Sequence, residues 1–419
     1  MWFFNILPIC VCAVGGYLTV RLRGFFLLRP LAVLREIKES LKREGAVSSL
    51  CLALAGTLGV GNIIGVGVGL IVGGAGSIFW LVISSLFATA LKYSEACIST
   101  DISGGLGDGM IVSLRHSFKR LGKPLSILYA AVCLLLSLTM GGALQSVGAS
   151  GAISSAFDLD EGKILLIFTA AAILLLLFFN GKIKWLTVRI IPLATLLYIA
   201  LSLSAVVVNI AKLPDIISLI FKSALNPNAL VGGGAGTLLS LQIREGFSRG
   251  LLSNEAGAGT SSLSHSEAAV TPSGAGVLGI CEVLFDTVIL CPLTALVILS
   301  AVPSPSFFES GGELVIYAFE TALGKGSAYA VSVCIFLFAF ATVACWYYYG
   351  KICVQSLRIP TLIFTPLFFL SLLFAPKLGE LLLVRLSDAF LLLLSILTGA
   401  VLIKNSDRVV YLSELSGLL

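Results

Sequence analysis

Hydrophobic residues fill long stretches of this chain, and short clusters of charged residues, glycine or proline separate one stretch from the next. A helix needs roughly 20 mostly apolar residues to cross a bilayer. By this criterion the sequence predicts about eleven membrane-spanning helices, at residues 2–20, 46–72, 75–98, 125–146, 163–180, 186–210, 232–264, 274–300, 328–350, 359–376 and 387–403. The predicted fold class is therefore an all-α polytopic membrane protein embedded in a lipid bilayer.

The balance of apolar and charged residues supports this class. Of the 419 residues, 58% are hydrophobic and 12% charged, whereas soluble domains usually have about 25% charged residues. Nineteen Lys and Arg residues, Lys92 among them, fall on one side of the predicted spans and six on the other. The positive-inside rule then places the N-terminus outside and the C-terminus in the cytoplasm, as in a plasma (inner) membrane. Since the net charge of +5 follows from this topology, it does not indicate nucleic-acid binding.

Cysteine and histidine give no sign of a metal cofactor. The ten cysteines lie almost entirely in apolar segments, and no two have the spacing of a zinc site. His116 and His265 are the only histidines. We therefore expect the cysteines to be small buried hydrophobic residues and expect no resident cofactor.

Two stretches between predicted spans mix apolar and charged residues in runs too short to cross a membrane. They lie at residues 215–225 and 304–326, on the predicted outer side. Such a pattern is typical of helices that lie at the membrane surface. They either cover a cavity that opens outward or only connect the spans.

The second predicted span contains GTLGVGNIIG at residues 56–65, with four glycines and Asn62 in the middle of an apolar run. Each glycine costs about 1 kcal/mol relative to alanine in a helix, and unpaired backbone in hydrocarbon costs several kcal/mol more. Close helix packing through small residues explains glycines alone. The polar amide of Asn62 instead favours an unwound helix that lines a binding site.

A second glycine-interrupted polar stretch, GFSRGLLSNEAGAGT, lies at residues 246–260 in the seventh predicted span. Without the first helix, the two stretches fall in the first and sixth of ten spans. Paired broken helices in corresponding positions indicate a secondary transporter built from an inverted repeat. The predicted organisation is an extra helix and basic loop (1–45), a first five-helix repeat (46–210), an outer connection (211–231), a second repeat (232–403) and a cytoplasmic tail (404–419).

Charged residues within the membrane are candidates for function. Arg244, Glu245, Arg249 and Glu255 lie in or near the seventh span, and Asp286 lies in the eighth. Arg249 is expected to pair with Glu255 or with Glu245, which would stabilise irregular backbone. Glu255 and Asp286 are alternatively candidates for binding a proton or an ion, although Asp286 could equally make a hydrogen bond between helices.

Several stretches resemble the alanine or glycine:cation symporter family, also called sodium:alanine symporters. They are GTLGVGNIIGV (56–66), GGAGSIFWLVISSLFATALKYSEA (73–96), FSRGLLSNEAGAGTSSLSHSEAA (247–269), LFDTVILCPLTALVIL (284–299), FLFAFATVACWYYYG (336–350) and LSDAF (386–390). The resemblance implies a LeuT-type 5+5 inverted repeat with one extra N-terminal helix and two discontinuous helices. It also implies import of a small neutral amino acid, alanine or glycine, coupled to Na⁺ or in some members to H⁺, by a carrier expected to be monomeric.

The resemblance further implies the residues of the site. The backbone near Gly59, Val60 and Gly61 would hold the substrate carboxylate, and Gln145 would bind the substrate or the unwound backbone. The opposite wall would be formed by Ser253, Asn254 and Gly257, and Trp346 would close the pocket. The substrate site implied in this way comprises Thr57, Gly59, Val60, Gly61, Asn62, Gln145, Ser253, Asn254, Gly257 and Trp346.

The implied Na⁺ site uses the carbonyls of Ala55 and Leu58 and the hydroxyl of Thr342. Here the sequence departs from the family, which tends to have a Ser-Thr pair where this chain has Ala341 and Thr342. Gly142 and Lys351 also stand where the family usually has Asn and Glu. Fewer hard oxygen ligands weaken the expectation of Na⁺ and keep H⁺-coupled or uncoupled transport of another small solute open.

Two other classes of function remain to be separated from a carrier. Ser264, His265 and Glu267 supply the residue types of a hydrolase, but no GxSxG motif frames a nucleophile, so an enzyme is not expected. A channel also remains an alternative function, because broken helices form the ion filters of channels. The paired breaks favour a single chain with one central site.

Overall fold

The computed structural model describes residues 6–104, 108–178, 183–225, 233–265 and 269–419, with only the backbone for residues 233–240. These residues form helices joined by short turns. The helices of the first half are α1 (Ile6–Arg21), α2 (Phe25–Leu28), α3 (Pro30–Leu41), α4 (Ala46–Thr57), α5 (Ile64–Gly73), α6 (Gly76–Ser103), α7 (Gly109–Ser117), α8 (Gly122–Leu138), α9 (Leu144–Phe157), α10 (Glu161–Phe178) and α11 (Ile183–Val208).

The second half continues in the same way. Its helices are α12 (Leu213–Ala224), α13 (Gly233–Asn254), α14 (Ser261–His265), α15 (Pro272–Val283), α16 (Cys291–Ala301), α17 (Gly311–Leu323), α18 (Lys325–Ser356), α19 (Thr361–Leu378), α20 (Glu380–Lys404) and α21 (Ser406–Leu415). Two π-helical turns, Thr139–Ala143 and Leu284–Leu290, join α8 to α9 and α15 to α16.

Eight continuous helices in the described part of the chain are long and apolar enough to cross a membrane, and the bent pair α4 and α5 raises the number to nine. The shorter apolar helix α1 and the more polar helix α13 occupy the first and seventh predicted spans. The chain is thus a multi-pass, all-α membrane protein, as the hydropathy pattern predicts. The total of eleven spans stays a prediction.

Both predicted helix breaks are present. The axes of Ala46–Thr57 and Val60–Gly73 differ by 60°, with a single 3₁₀ turn at Val60–Asn62 between the two halves. The second break separates α13 from α14 and covers residues 255–260. It is shorter than the predicted stretch 246–260, because residues 246–254 continue the helix in spite of Gly246 and Gly250.

Two long helices pack against these breaks. Helix α6 contacts α13, α14 and α15 around the second break, and it also packs against α1. Helix α18 contacts α4, α8, α9 and α11, so that it lies beside the first break. The site therefore lies among α4, α6, α13, α15 and α18, whereas the division into two repeats stays a prediction.

Both stretches that were predicted to lie at the membrane surface contain a helix, although the second helix is shorter than predicted. Their position at the membrane surface stays a prediction. Helix α12 covers most of 215–225, and α17 begins only at Gly311, after a 3₁₀ turn at Pro305–Phe307. Helix α17 packs closely on α5, because a Cβ added at Gly67 would lie 2.7 Å from the carbonyl oxygen of Gly311. This contact places α17 over the half of the first broken helix that follows the break.

Lys92 corrects the sequence-based count of basic residues in loops. It lies inside α6, with none of its side chain exposed. A loop position was therefore wrong for Lys92, which belongs to the buried polar residues around the second break.

Candidate functional site

Gln145 holds the unwound backbone of the first break. Its Oε1 accepts a 3.0 Å hydrogen bond from the N–H of Val60, and its Nε2 donates to the carbonyl oxygen of Met140 at 3.0 Å. Met140 lies in the π-helical turn Thr139–Ala143. Gln145 was expected to bind the substrate or the unwound backbone, and the structure shows its contact with the backbone. The buried N–H of Val60, which has no partner within a continuous helix here, thereby gains one.

Gly59 leaves no room for a side chain at this break. A Cβ at this position would lie 2.7 Å from Oε1 of Gln145 and 2.9 Å from Oγ1 of Thr342. The backbone therefore approaches both polar groups closely, which only glycine permits. Thr57, two residues before Gly59, is the last residue of α4 and is buried.

Asn62 is a buried amide without a hydrogen-bond partner. Only 1% of the residue is exposed, and neither its Oδ1 nor its Nδ2 has a partner in the described structure. Its backbone carbonyl accepts a 3.3 Å hydrogen bond from Thr294. Since a buried unpaired amide costs about 1–3 kcal/mol, this side chain points to a ligand that the fold accommodates.

Oxygens of the predicted ion site lie together. Oγ1 of Thr342 is 2.8 Å from the carbonyl oxygen of Ala55. The backbone leaves α4 at Leu58, which caps that helix. Carbonyl and hydroxyl oxygens are the ligands that hard cations prefer. The neighbouring Ala341 is fully buried and offers no side-chain oxygen.

Ser253 and Asn254 face the π-helical turn of the adjacent helix. The hydroxyl of Ser253 donates to Oδ1 of Asp286, which also accepts from Thr287 at 2.7 Å. Asn254 donates to Oγ1 of Thr287 at 3.0 Å and accepts from the N–H of Ala256 at 2.9 Å. These side chains therefore stabilise the second break, and their contact with a substrate stays a prediction.

Gly257 lies in the left-handed region with φ of +88°, which explains the glycine at the second break. Its N–H donates to Oε1 of Glu95, a residue of α6 that sequence reasoning missed. Glu95 is fully buried, and its Oε2 has no partner among the described atoms.

Trp346 connects the two breaks. Its indole N–H lies 3.3 Å from the carbonyl oxygen of Gly56 at the first break and 3.2 Å from Oε1 of Glu255 at the second. Oε2 of Glu255 accepts from the hydroxyl of Thr260 at 2.7 Å. Glu255 has φ of +55°, so its backbone is strained as well as unwound. Trp346 is fully buried, and its role as a wall of the substrate pocket stays a prediction.

A second buried cluster lies next to this break and was also missed from the sequence. Nζ of Lys92 donates to Oε2 of Glu282 at 3.0 Å and to Oγ of Ser261 at 2.8 Å. Nε2 of His265 lies 2.7 Å from Oε1 of Glu282. The sequence signal for this cluster was a charged residue within each of two apolar segments, Lys92 in α6 and Glu282 in α15. Lys92 was counted with a loop, and Glu282 was not considered.

The predicted pairing of Arg249 is half right. Nε of Arg249 lies 3.6 Å from Glu245, as one alternative predicted. Its shortest ion pair is with Asp388 of α20, at 2.8 Å, whereas Glu255 contacts Trp346 and Thr260 instead. The pairing of Arg249 with Glu255 was therefore wrong. Asp388 could not be found from local spacing, because it lies 139 residues further along the chain.

The residue types of a hydrolase do not form a catalytic arrangement in the described structure. Ser264 contacts the hydroxyl of Tyr349, whereas His265 contacts Glu282. Glu267 lies outside the described residues. The cysteines are free, and most of them are buried.

Two membrane helices interrupted by unwound turns, with buried polar side chains beside the unwound backbone, are typical of an α-helical membrane transporter. The sequence profile of the sodium:alanine symporter family matches residues 1–411. The chain belongs to this family, whose members are cation-coupled amino acid carriers.

Two relatives and one solved structure extend the comparison. The chain is 31% identical over 374 residues to "Sodium/alanine symporter AgcS" of Methanococcus maripaludis, a match that covers 83% of this chain and 80% of the relative. It is 28% identical over 331 residues to the "Sodium/proton-dependent alanine carrier protein" of Bacillus sp. (strain PS3), covering 74% and 73%. The structure of MhsT in complex with L-phenylalanine has a TM-score of 0.59 at 15% identity, covering 88% of this chain and 98% of MhsT. The fold is thus of the LeuT type.

Proposed function

We propose that this carrier imports a small neutral amino acid, alanine or glycine, together with Na⁺. The observation that carries the proposal is the side chain of Asn62, which is buried without a partner in the unwound part of the first broken helix. Family membership supports cation-coupled amino acid transport, and a relative named as a sodium/alanine symporter supports the finer assignment.

The substrate is expected to lie between the two breaks. The backbone at Gly61 lies near the start of α5, where the helix dipole favours a carboxylate, whereas the N–H of Gly59 already donates to the carbonyl oxygen of Thr57 at 2.9 Å. Gln145 fixes this backbone through Val60, so the loop is ordered before substrate arrives. Trp346 and the second break at Gly257 would form the remaining walls.

Na⁺ is expected to bind at the end of α4, with oxygens from Ala55, Leu58 and Thr342. The short distance between Ala55 and Thr342 supports this position. Ala341 provides one oxygen fewer than the family pattern, so we expect weak affinity for Na⁺. A relative named as a sodium/proton-dependent carrier supports H⁺ as the second candidate ion.

We infer from the distribution of Lys and Arg that the N-terminus is outside and the C-terminus is in the cytoplasm. Transfer of Lys92 from a loop to the buried interior leaves eighteen basic residues on the inner side and six on the outer side. The bias therefore remains. One central site within one chain makes a monomer sufficient for transport.

Uptake of labelled alanine and glycine into proteoliposomes tests the proposal. Purified protein is given an inward Na⁺ gradient, an inward H⁺ gradient or no gradient, with Asn62→Ala as the variant and Asn62→Asp as its isosteric partner. Na⁺-driven accumulation that Asn62→Ala abolishes supports the proposal. Accumulation driven by H⁺ alone would show that H⁺ is the coupling ion instead of Na⁺. No uptake under any gradient would contradict the substrate assignment.

A further inference from the structure

Buried carboxylates outnumber buried cations around the second break. Four acidic residues there are at most 1% exposed, namely Glu95, Glu255, Glu282 and Asp286. Lys92 and His265 are the buried basic residues in contact with them, and both contact Glu282. Three carboxyl groups are thus left without a cation within 4 Å in the described part of the chain. A lone carboxylate in such surroundings is very unfavourable, so the surplus charge must be neutralised.

The partners of each carboxyl group decide whether it can gain and lose a proton in place. Glu282 receives hydrogen bonds from an ammonium group and lies against an imidazole, which hold it ionised. Glu95 receives a backbone N–H from Gly257, which can only donate. A proton on Glu282 would therefore oppose an existing contact, whereas a proton on the unpartnered Oε2 of Glu95 would be a buried donor with no acceptor among the described atoms.

Glu255 differs because its Oε2 contacts a hydroxyl. Thr260 donates to this oxygen at 2.7 Å when Glu255 is ionised, and the same hydroxyl oxygen can accept when Glu255 is protonated. Oε1 faces the indole N–H of Trp346, which can only donate, so the proton must reside on Oε2. Protonation thus reverses one hydrogen bond, with rotation of the Thr260 hydroxyl, and breaks none of the heavy-atom contacts.

The position of Glu255 makes such a proton relevant to transport. Trp346 donates from one N–H to both Glu255 and the carbonyl of Gly56, so these two oxygens share a single donor. An ionised Glu255 attracts the N–H more strongly than a neutral one. Loss of its charge would therefore shift the indole N–H toward Gly56 and strengthen the contact of α18 with the first broken helix.

Asp286 also accepts hydrogen bonds from hydroxyl groups, those of Ser253 and Thr287. Both hydroxyls contact the same oxygen of Asp286, and these contacts connect Asp286 only with the second break.

We infer that Glu255 binds and releases a proton through Oε2 during the transport cycle, and that this proton affects both helix breaks through Trp346. This inference rests on the proposed cation-coupled uptake and adds a second ion to the Na⁺ of that proposal. The titratable groups around Glu255 on the surrounding elements are Lys92 on α6, Tyr129 and Cys133 on α8, Glu282 on α15, Asp286 in the π-helical turn, and Cys345 and Tyr349 on α18. Glu95 on α6 contacts the same break at Gly257, and His265 on α14 contacts Glu282.

Infrared difference spectroscopy between acidic and alkaline pH tests the proton directly on purified protein. A buried carboxyl group that titrates gives a carbonyl band of the protonated acid, and this band should disappear in Glu255→Gln. Glu380→Gln is the matched control, because Glu380 also accepts from a hydroxyl, that of Ser310 at 3.1 Å, but lies at the outer end of α20. The band should remain in this control.

Exchange of labelled alanine across proteoliposomes, with alanine on both sides and saturating Na⁺, tests the role of the proton in transport. The exchange rate of the unmodified protein should depend on pH, and that of Glu255→Gln should not. A band that persists in Glu255→Gln, or an exchange rate that keeps its pH dependence in this variant, would overturn the inference. Absence of alanine transport in the unmodified protein would instead contradict the proposed function, and the infrared band would still decide whether Glu255 titrates.

Discussion

The hydroxyl of Thr342 lies 2.8 Å from the carbonyl oxygen of Ala55, and these two residues come from parts of the chain that are 287 residues apart. Helix α18 thus presents an oxygen to the end of α4, where that helix stops. The same hydroxyl is 2.9 Å from the carbonyl oxygen of Phe338 within its own helix. Three oxygens therefore lie within a small volume next to the first break.

Removal of this hydroxyl is expected to weaken the response to Na⁺. In Thr342→Val the shape of the side chain is kept but an oxygen ligand is lost, so the Na⁺ concentration for half-maximal uptake should rise about tenfold or more. Thr342→Ser keeps the oxygen and should stay within about threefold of the unmodified protein. Uptake measured over a range of Na⁺ concentrations checks both variants. An unchanged Na⁺ dependence in Thr342→Val would remove Thr342 from the ion site.

Addition of an oxygen next to Thr342 is expected to have the opposite effect. Ala341 is fully buried in α18 beside Thr342, and Ala341→Ser supplies the hydroxyl that the family pattern has at this position. The Na⁺ concentration for half-maximal uptake should fall by about threefold to tenfold. Ala339→Ser, two residues earlier in the same helix and equally buried, is the control and should not increase the affinity.

Gly59→Ala is expected to abolish uptake. The new methyl group would lie less than 3 Å from both Gln145 and Thr342, which belong to the proposed substrate and ion sites respectively. Relief of this overlap must move polar groups at the break by several tenths of an ångström, and such shifts reduce binding severely. Gly65→Ala is the matched control, since its methyl group would meet Leu252 at an ordinary 3.8 Å. Equal uptake by the two variants would show that the close approach at Gly59 has no functional role.

Gln145→Leu is expected to reduce uptake by about tenfold or more without preventing folding. The N–H of Val60 and the carbonyl oxygen of Met140 would both lose their partner, at about 1–3 kcal/mol for each buried group. Gln145→Glu in its protonated form keeps both the acceptor for Val60 and a donor for Met140, and it should be less impaired. Initial rates of uptake per amount of folded protein compare the three forms, and a smaller defect in Gln145→Leu than in Gln145→Glu would contradict this view.

Lys92→Met is expected to destabilise the protein by about 3–5 kcal/mol, because Glu282 would remain buried without its main cation. The melting temperature in detergent, followed by size-exclusion chromatography, measures this loss. Lys92→Met combined with Glu282→Gln removes both charges and should recover much of it. Lys42→Met serves as a control for a surface pair, since Lys42 and Glu39 are mostly exposed and should leave the melting temperature unchanged. A double variant as unstable as Lys92→Met would show that the unpaired charge of Glu282 is not the reason for the loss of stability.

The breaks in the helices were predictable because glycine and polar residues are unfavourable in an apolar span. GTLGVGNIIG places four glycines and an asparagine within ten residues of an apolar span, and the observed break at 58–63 lies within this stretch. Gln145, which the family resemblance implied would bind the substrate or the unwound backbone, contacts that backbone at Val60. In these cases local chemistry and the family pattern agree.

The contacts across the membrane interior were not predictable in the same way. Asp388 pairs with Arg249, and Glu95 contacts Gly257 across 162 residues, so no local spacing indicates them. Lys92 was counted with the basic residues of a loop although the predicted span 75–98 contains it, because the sequence does not show the buried partner that would pair with its charge. Such pairs depend on which helices pack together, and this is decided by the tertiary structure.

The C-terminal helix α21 also joins distant parts of the chain. Ser413 lies 2.7 Å from the hydroxyl of Tyr93 on α6, Asp407 pairs with Arg21 at the end of α1, and Ser406 is 3.0 Å from the hydroxyl of Tyr17, 389 residues earlier in the sequence. Helix α1 packs against α6 and α20 as well. During synthesis on the ribosome, α1 therefore enters the bilayer long before α20 and α21 exist. Helix α1 must therefore remain in the bilayer without these contacts until almost the whole chain has been made. A premature stop near residue 400 would remove α21 and leave α1 without its polar partners there.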